Sequence, residues 1–213
     1  MPLVKTISGN EYTIGLWALT EQNAGLTGGL RLSAEEMVIY QSCRHEKRQR
    51  EFLATRQLLH HLTDGNYQLC YHAGGKPYLK NHPGHVSISH SKSMVAVILA
   101  DHPAGIDVEE INRNTEKIDA RFLSEGELEW TSKSNDYKLT RLLCWCVKEA
   151  VYKMSQENLA EFSRQIEIMP FDVLKDNSAE AIIRTQGGRR GVFPAFGRIS
   201  DNVLAWCIDN GGK

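Results

Sequence analysis

Two long stretches of the chain repeat apolar residues at helical spacing, and much of the remainder alternates apolar with polar. From about Glu46 to Leu62, the apolar Phe52, Leu53, Leu58, Leu59 and Leu62 fall near a 3.6-residue period, which predicts a helix with one buried face. A second helix is predicted from about Lys138 to Met154, carrying Leu142, Leu143, Trp145, Val147, Ala150 and Val151. Ser33-Ala34-Glu35-Glu36 and Ser124-Glu125-Gly126-Glu127 share the S-x-x-E form of a capping box, in which serine and glutamate side chains each satisfy a free backbone N–H. A helix should follow each box. Strands are predicted at Thr13 to Leu19, around Val86 and Ile88, at Met94 to Ala100 and at Gly105 to Glu109. Later strand-like runs are Gln165 to Met169, Ala179 to Thr185, Val192 to Phe196 and Val203 to Ile208. Gly74 to Pro77 reads as a turn, and Gly187 to Gly191 as a hairpin loop. In each half a capping box precedes a longer helix and then strands. The predicted class is therefore α+β, a pseudo-two-fold duplication of two similar α/β lobes, residues 1–101 and 102–213, joined near residues 101–112.

Composition narrows the function classes. With 41% apolar and 24% charged residues, the 213-residue chain can bury a core. Its longest apolar run, Met94 to Ala100, is strand length, far short of the roughly 20 residues of a membrane span. Lys5, Ser8, Asn10 and Glu11 interrupt the first apolar residues, so no signal peptide is expected and the cytoplasm is the expected location. Lys and Arg number 25 against 26 Asp and Glu, which argues against a general nucleic-acid binder. The five cysteines lack a C-x-x-C pair and are expected to be reduced, buried thiols without zinc. One dense basic cluster, Arg44 to Arg50 and on to Arg56, is either a solvated helix face or a site for a phosphate or an acidic partner.

Asp107 and Glu109 stand two apart on a strand, so both point to one face, about 7 Å apart at the backbone. Such a pair is either a solvated edge or half of a cation site. Gly105 ahead of them removes a side chain and could let a ligand approach closely. Glu149 and Lys153, four apart on the second helix, share a face. They are either a surface ion pair or a working pair held partly out of water. Together Asp107, Glu109 and Glu149 make a candidate Mg²⁺ site, since that ion takes one or two carboxylates along with substrate phosphates. Lys148 and Lys153 add positive charge, and Lys153 could protonate a leaving phosphate oxygen. His90, between Ser89 and Ser91, could donate to a phosphate or act as acid or base; alone, it is an ordinary loop histidine.

Taken in order, Gly75-Lys76-Pro77, Ser89-His90-Ser91, Gly105-Ile106-Asp107-Val108-Glu109, Phe122-Leu123-Ser124 with Glu127, and the stretch Trp145 to Lys153 (W-x-x-K-E-A-x-x-K) resemble the signatures of 4′-phosphopantetheinyl transferases, specifically the larger monomeric two-lobed type. The resemblance covers roughly residues 30–155. It implies Mg²⁺-dependent transfer of the phosphopantetheine arm of coenzyme A to a serine of an apo acyl or peptidyl carrier protein, releasing adenosine 3′,5′-bisphosphate. By the same resemblance Asp107, Glu109 and Glu149 hold the metal, Glu149 is the base and Lys153 assists the leaving group. Lys76, Pro77, Ser89 and His90 contact coenzyme A and Lys148 is placed to do so; the 3′-phosphate site varies within the family, and Arg50 or Arg56 could serve it here. The alternative is a carrier-protein or coenzyme A binding module of the same fold without catalysis. Two departures from the family pattern stand out: Val86-Ser87-Ile88 ahead of Ser-His-Ser, and Met154 to Asn158 in place of a Gly-rich turn.

Overall fold

The computed structural model describes residues 2–155, 159, 161–209 and 211. Its first half contains β1 (Leu3–Ser8), β2 (Tyr12–Ala18), α1 (Asn23–Leu26), α2 (Ala34–Ser42), α3 (Glu46–Leu62), β3 (Leu69–Tyr71), β4 (Pro77–Leu79), β5 (His85–His90) and β6 (Met94–Ala100). The second contains β7 (Ala104–Glu110), α4 (Asp119–Phe122), α5 (Glu125–Ser132), α6 (Tyr137–Met154), α7 (Phe162–Gln165), β8 (Ile166–Ile168), β9 (Ala181–Thr185), β10 (Gly188–Val192), β11 (Ala195–Ile199) and β12 (Asn202–Ile208). The class is α+β, with several small sheets. Strands run in the orders β1-β2-β6-β5, β11-β12-β7, β10-β9-β8 and β3-β4, all antiparallel.

β6 is apolar at every position because both of its faces are covered. Val95, Val97 and Leu99 pack toward Leu53, Leu58 and Leu59 of α3. Met94, Ala96 and Ile98 pack the other way, on Ile106, Val108 and Leu204 of the second sheet. Alternation is lost where both sides are dry. α6 covers a third core, with Leu142, Cys146, Val147, Ala150 and Val151 meeting Ile166, Ile183, Phe196 and Val203.

The four-stranded sheet and the β11-β12-β7 sheet meet along β5 and β7. There the Ile106 N–H donates to Ser87 Oγ at 3.2 Å and the Val108 N–H to Ser89 Oγ at 3.3 Å. Both partners advance by two residues in the same sense, so serine hydroxyls stand where a parallel neighbour's carbonyls would be.

Both capping boxes form, at Ser33 with Glu36 and at Ser124 with Glu127. α3 and α6 match their expected limits to within a residue. Other expectations need correction. Gly105 does not leave room for a ligand: a Cβ there would lie 2.6 Å from Met154 N and closer still to the Ala150 carbonyl oxygen, so its bare Cα admits the backbone of α6. Gly188 to Gly191 belong to β10, paired with β9 from Gly188 opposite Thr185, which shortens the hairpin loop to Gln186 and Gly187. The run Val192 to Phe196 is split between two strands, with a break at Phe193 and Pro194, since proline cannot donate to a ladder. All five cysteines are free, but Cys43 and Cys70 are only half-buried. Of the altered segment after Lys153, Gln156, Glu157 and Asn158 lie outside the described residues. Among the described residues, no helix is long and apolar enough to cross a membrane.

Candidate functional site

A cleft of about 730 Å³ opens between the halves. One wall is the β3–β4 hairpin with Lys76 and Pro77, another is β5 from His85 to Ile88, and the C-terminal turn of α6 supplies Tyr152, Lys153 and Ser155. A smaller cleft of about 350 Å³ adjoins it, sharing Gly75, Pro77 and Ile88 and adding Arg48, Glu51, Arg56 and His90. The seam of β5 and β7 runs past these clefts and sets Asp107 against Ser89.

Asp107 is 4% exposed. Its Oδ1 accepts from Ser89 Oγ at 2.7 Å and from Lys153 Nζ at 2.8 Å, while its buried Oδ2 has no nitrogen or hydroxyl donor among the described residues and the Cys146 thiol lies beside the carboxyl. Lys153 Nζ also donates to the Ile106 carbonyl at 3.0 Å. The packing of α6 on β7 produces this meeting, because Cys146, Glu149, Ala150 and Lys153 lie on the helix face turned to that strand. Half-buried Glu149 has its pKa pushed up, first by burial and then by the Asp107 charge, against the pull of Lys153 and Arg113. A carboxylate without a nitrogen or hydroxyl donor on one oxygen, a second carboxyl disfavoured as an anion, and one ammonium between halves form a site short of positive charge.

Glu109 shares the strand face of Asp107 but faces different partners. It accepts from Trp145 Nε1 at 3.2 Å and pairs with Arg113, whose guanidinium sits 5.1 Å from the Trp145 ring centroid. Asp107 and Glu149 are thus electrostatically coupled, whereas Glu109 is tied to the Trp145 side of α6. Among the described residues no three His, Cys, Asp or Glu side chains are gathered as a ready-made metal cage.

His90 lies in the smaller cleft, 2.7 Å from Arg48 Nη1 and 3.7 Å from Glu51 Oε2. Burial pushes its pKa down; Glu51 opposes this, and the Arg48 and Lys153 charges add to it. A neutral ring then accepts one Arg48 Nη1 proton at Nε2, and the same Nη1 donates to Glu51 Oε2 at 3.1 Å, leaving the rest of the guanidinium for the cleft. Lys76 reaches across the larger cleft to the Ser155 carbonyl at 3.2 Å, and burial lowers its pKa.

Of three further expected ligand contacts, two lie away from the clefts and the third is already engaged. Lys148 is wholly buried, with Nζ 2.7 Å from both Glu127 Oε2 and the Phe122 carbonyl, so it faces away from the clefts and cannot meet coenzyme A. Arg56 borders the smaller cleft, yet its Nε binds Glu36 at 3.1 Å and its guanidinium stacks 3.4 Å from the Phe52 ring centroid. Arg50 borders neither cleft. In the smaller cleft the basic residue that presents charge is Arg48, which the sequence places only within a run of cations. Its spacing from Glu51, one turn of helix, is the signal that marks which side of α3 it lies on.

Residues 103–207, from the entry into β7 almost to the end of β12, match the family model described as the 4′-phosphopantetheinyl transferase superfamily. The matched stretch holds Asp107, Glu109, Glu149 and Lys153. The 4′-phosphopantetheinyl transferase gsp of Aneurinibacillus migulanus is 35% identical over 81 residues, 37% of this chain. That similarity spans 34% of the relative's own length.

Proposed function

Since residues 103–207 match the 4′-phosphopantetheinyl transferase superfamily model, we propose that the clefts bind coenzyme A and that the protein transfers the phosphopantetheine arm to a serine hydroxyl of an apo acyl or peptidyl carrier protein. The observation that carries this reading is Asp107, buried between the halves with one oxygen lacking a nitrogen or hydroxyl donor among the described residues, next to Glu149 and Lys153. That oxygen and the all-oxygen donor set fit Mg²⁺, which needs only one or two protein carboxylates beside phosphates and water. Asp107, Glu109 and Glu149 are the residues proposed to hold it. When bound, the ion supplies neutralising charge to the pyrophosphate.

In the transfer, the carrier serine oxygen forms a bond to the phosphorus that bears pantetheine. The bond from that phosphorus to the oxygen bridging toward adenosine breaks, and adenosine 3′,5′-bisphosphate departs. Glu149 takes the serine proton, and its raised pKa makes it a stronger base than an exposed carboxylate. Lys153 donates to the departing phosphate oxygen. Lys76 and Pro77 line the cleft and Ser89 steadies Asp107, while His90 and Arg48 receive a phosphate in the smaller cleft. His90 is also placed to exchange a proton. The same reading takes the protein as a cytoplasmic monomer of duplicated lobes, 1–101 and 102–213, the matched capping boxes supporting the duplication.

Mixing the protein with coenzyme A, Mg²⁺ and an apo carrier protein should add the phosphopantetheine mass to the carrier and release adenosine 3′,5′-bisphosphate. No mass gain leaves only the binding-module reading. Splitting of coenzyme A without a carrier points instead to a phosphohydrolase. Lys153→Ala should lower kcat about a hundredfold, with a much smaller effect on coenzyme A affinity; a change in affinity alone limits Lys153 to binding. Arg48→Ala should raise the KM for coenzyme A about tenfold, the worth of one charged hydrogen bond. The KM for dephospho-coenzyme A should hardly move, and an equal rise for both places the 3′-phosphate elsewhere.

A further inference from the structure

The cleft uses one face of α6; the opposite face holds a buried ion pair that the transfer chemistry leaves unexplained. Lys148 and Glu127 are 0% and 2% exposed as side chains, with Nζ and Oε2 2.7 Å apart. The pair ties together four segments. Glu127 Oε2 also accepts the Ser124 N–H at 2.7 Å, closing the capping box of α5, and its Oε1 accepts the Ile168 N–H at 2.8 Å, fixing the end of β8. Lys148 Nζ adds the Phe122 carbonyl at the end of α4. Every one of these bonds converges on the side of α6 away from β7.

At about 100° per residue, Lys148 lies about 200° around the helix from Cys146, which faces Asp107, while Glu149, Ala150 and Lys153 fall within about 60° of Cys146. A helix pinned on one side by Gly105 and apolar packing still has rotation to settle, because apolar contacts are not directional. A short charge-assisted bond is directional. Replacing a buried ion pair by apolar groups is often neutral for stability, whereas its directional bonds can set how the helix is turned.

Resting on the proposed transfer reaction, we infer that Glu127 and Lys148 are a positioning pair that fixes the rotation of α6, aiming Glu149 and Lys153 at Asp107. Neither touches the reacting groups. Their effect passes through the helix, and Trp145 reports it without any substrate, since its Nε1–H donates to Glu109 Oε1 at 3.2 Å across the gap from α6 to β7.

The test is the double variant E127Q/K148M, which removes both charges together and keeps an oxygen to accept the Ile168 N–H. It should melt close to the wild type. The Trp145 indole proton should shift in the NMR spectrum and exchange with solvent at least tenfold faster, and kcat should fall about a hundredfold, the penalty for misplacing reacting groups by about 1 Å, with KM for coenzyme A little changed. Lys148→Gln, which retains a donor for the Phe122 carbonyl, gives the same readings in milder form if the double variant does not fold. Ser124→Ala is the control: it loses stability at the α5 cap but leaves the pair, and so should leave the Trp145 resonance and kcat alone. An unchanged Trp145 signal in a folded variant, or the same shift in Ser124→Ala, overturns the inference. If the wild type transfers no phosphopantetheine, the functional reading fails on its own and the indole measurement still decides whether the pair sets the helix.

Discussion

Glu149→Gln is expected to slow the proposed phosphopantetheine transfer about a thousandfold or more while leaving the protein folded. The change keeps the volume and removes both the proposed base and one proposed metal ligand; general base catalysis alone accounts for about 10²–10⁴-fold. Stability should move the other way. The fold raises the Glu149 pKa, so it favours the protonated carboxyl. For such a group the contribution to stability is full below the unfolded-state value and declines as pH climbs through the folded one. Glutamine is neutral throughout, so the variant should be at least as stable as the wild type at neutral pH and should lose part of the wild type's downward slope above the acid range. Urea melts across that range check the slope, and quantifying the modified carrier checks the rate. Near-normal turnover contradicts the role of Glu149 in catalysis.

Gly105→Ala should destabilise the protein by about 3 kcal/mol, at the upper end of what overpacking costs, because the new methyl meets backbone on α6 and not a flexible side chain. Relief requires the helix to lift from β7. Glu149 and Lys153 ride on that helix, so transfer should fall about a hundredfold even where the variant remains folded. Gly197→Ala is the matched comparison, since a Cβ there meets nothing within 4 Å; its denaturation midpoint should hold. A Gly105→Ala protein with wild-type midpoint and rate would show that helix and strand tolerate a methyl between them.

These two positions differ in how visible they are along the chain. Glu149 sits in a helix whose period is plain from Leu142 to Val151, and its neighbour at Lys153 follows from the same period. Gly105 is noticeable as a glycine in a strand, but whether a ligand or a backbone fills the space depends on a helix that begins at Tyr137. The capping boxes are legible because their chemistry is closed within four residues. β10 is hidden because Gly-Arg-Arg-Gly has turn composition, and only pairing with β9 makes it a strand. The cations show the limit most clearly. Lys148 and Arg56 carry charge that Glu127 and Glu36 neutralise from distant positions, while Arg48 keeps one side toward a cleft. Which lysine or arginine remains available to a ligand is decided by tertiary partners, and the Arg48–Glu51 spacing marks only a side of α3.

The β5–β7 seam bears on how any replacement of Ser89 is interpreted. Its hydroxyl accepts from one strand's amide and donates to that strand's carboxylate, so a single oxygen both glues the halves and grooms Asp107. Ser89→Ala would unfasten a stitch and strip a donor in the same stroke. Lost turnover in that variant would therefore measure adhesion between the halves as much as any contact with coenzyme A.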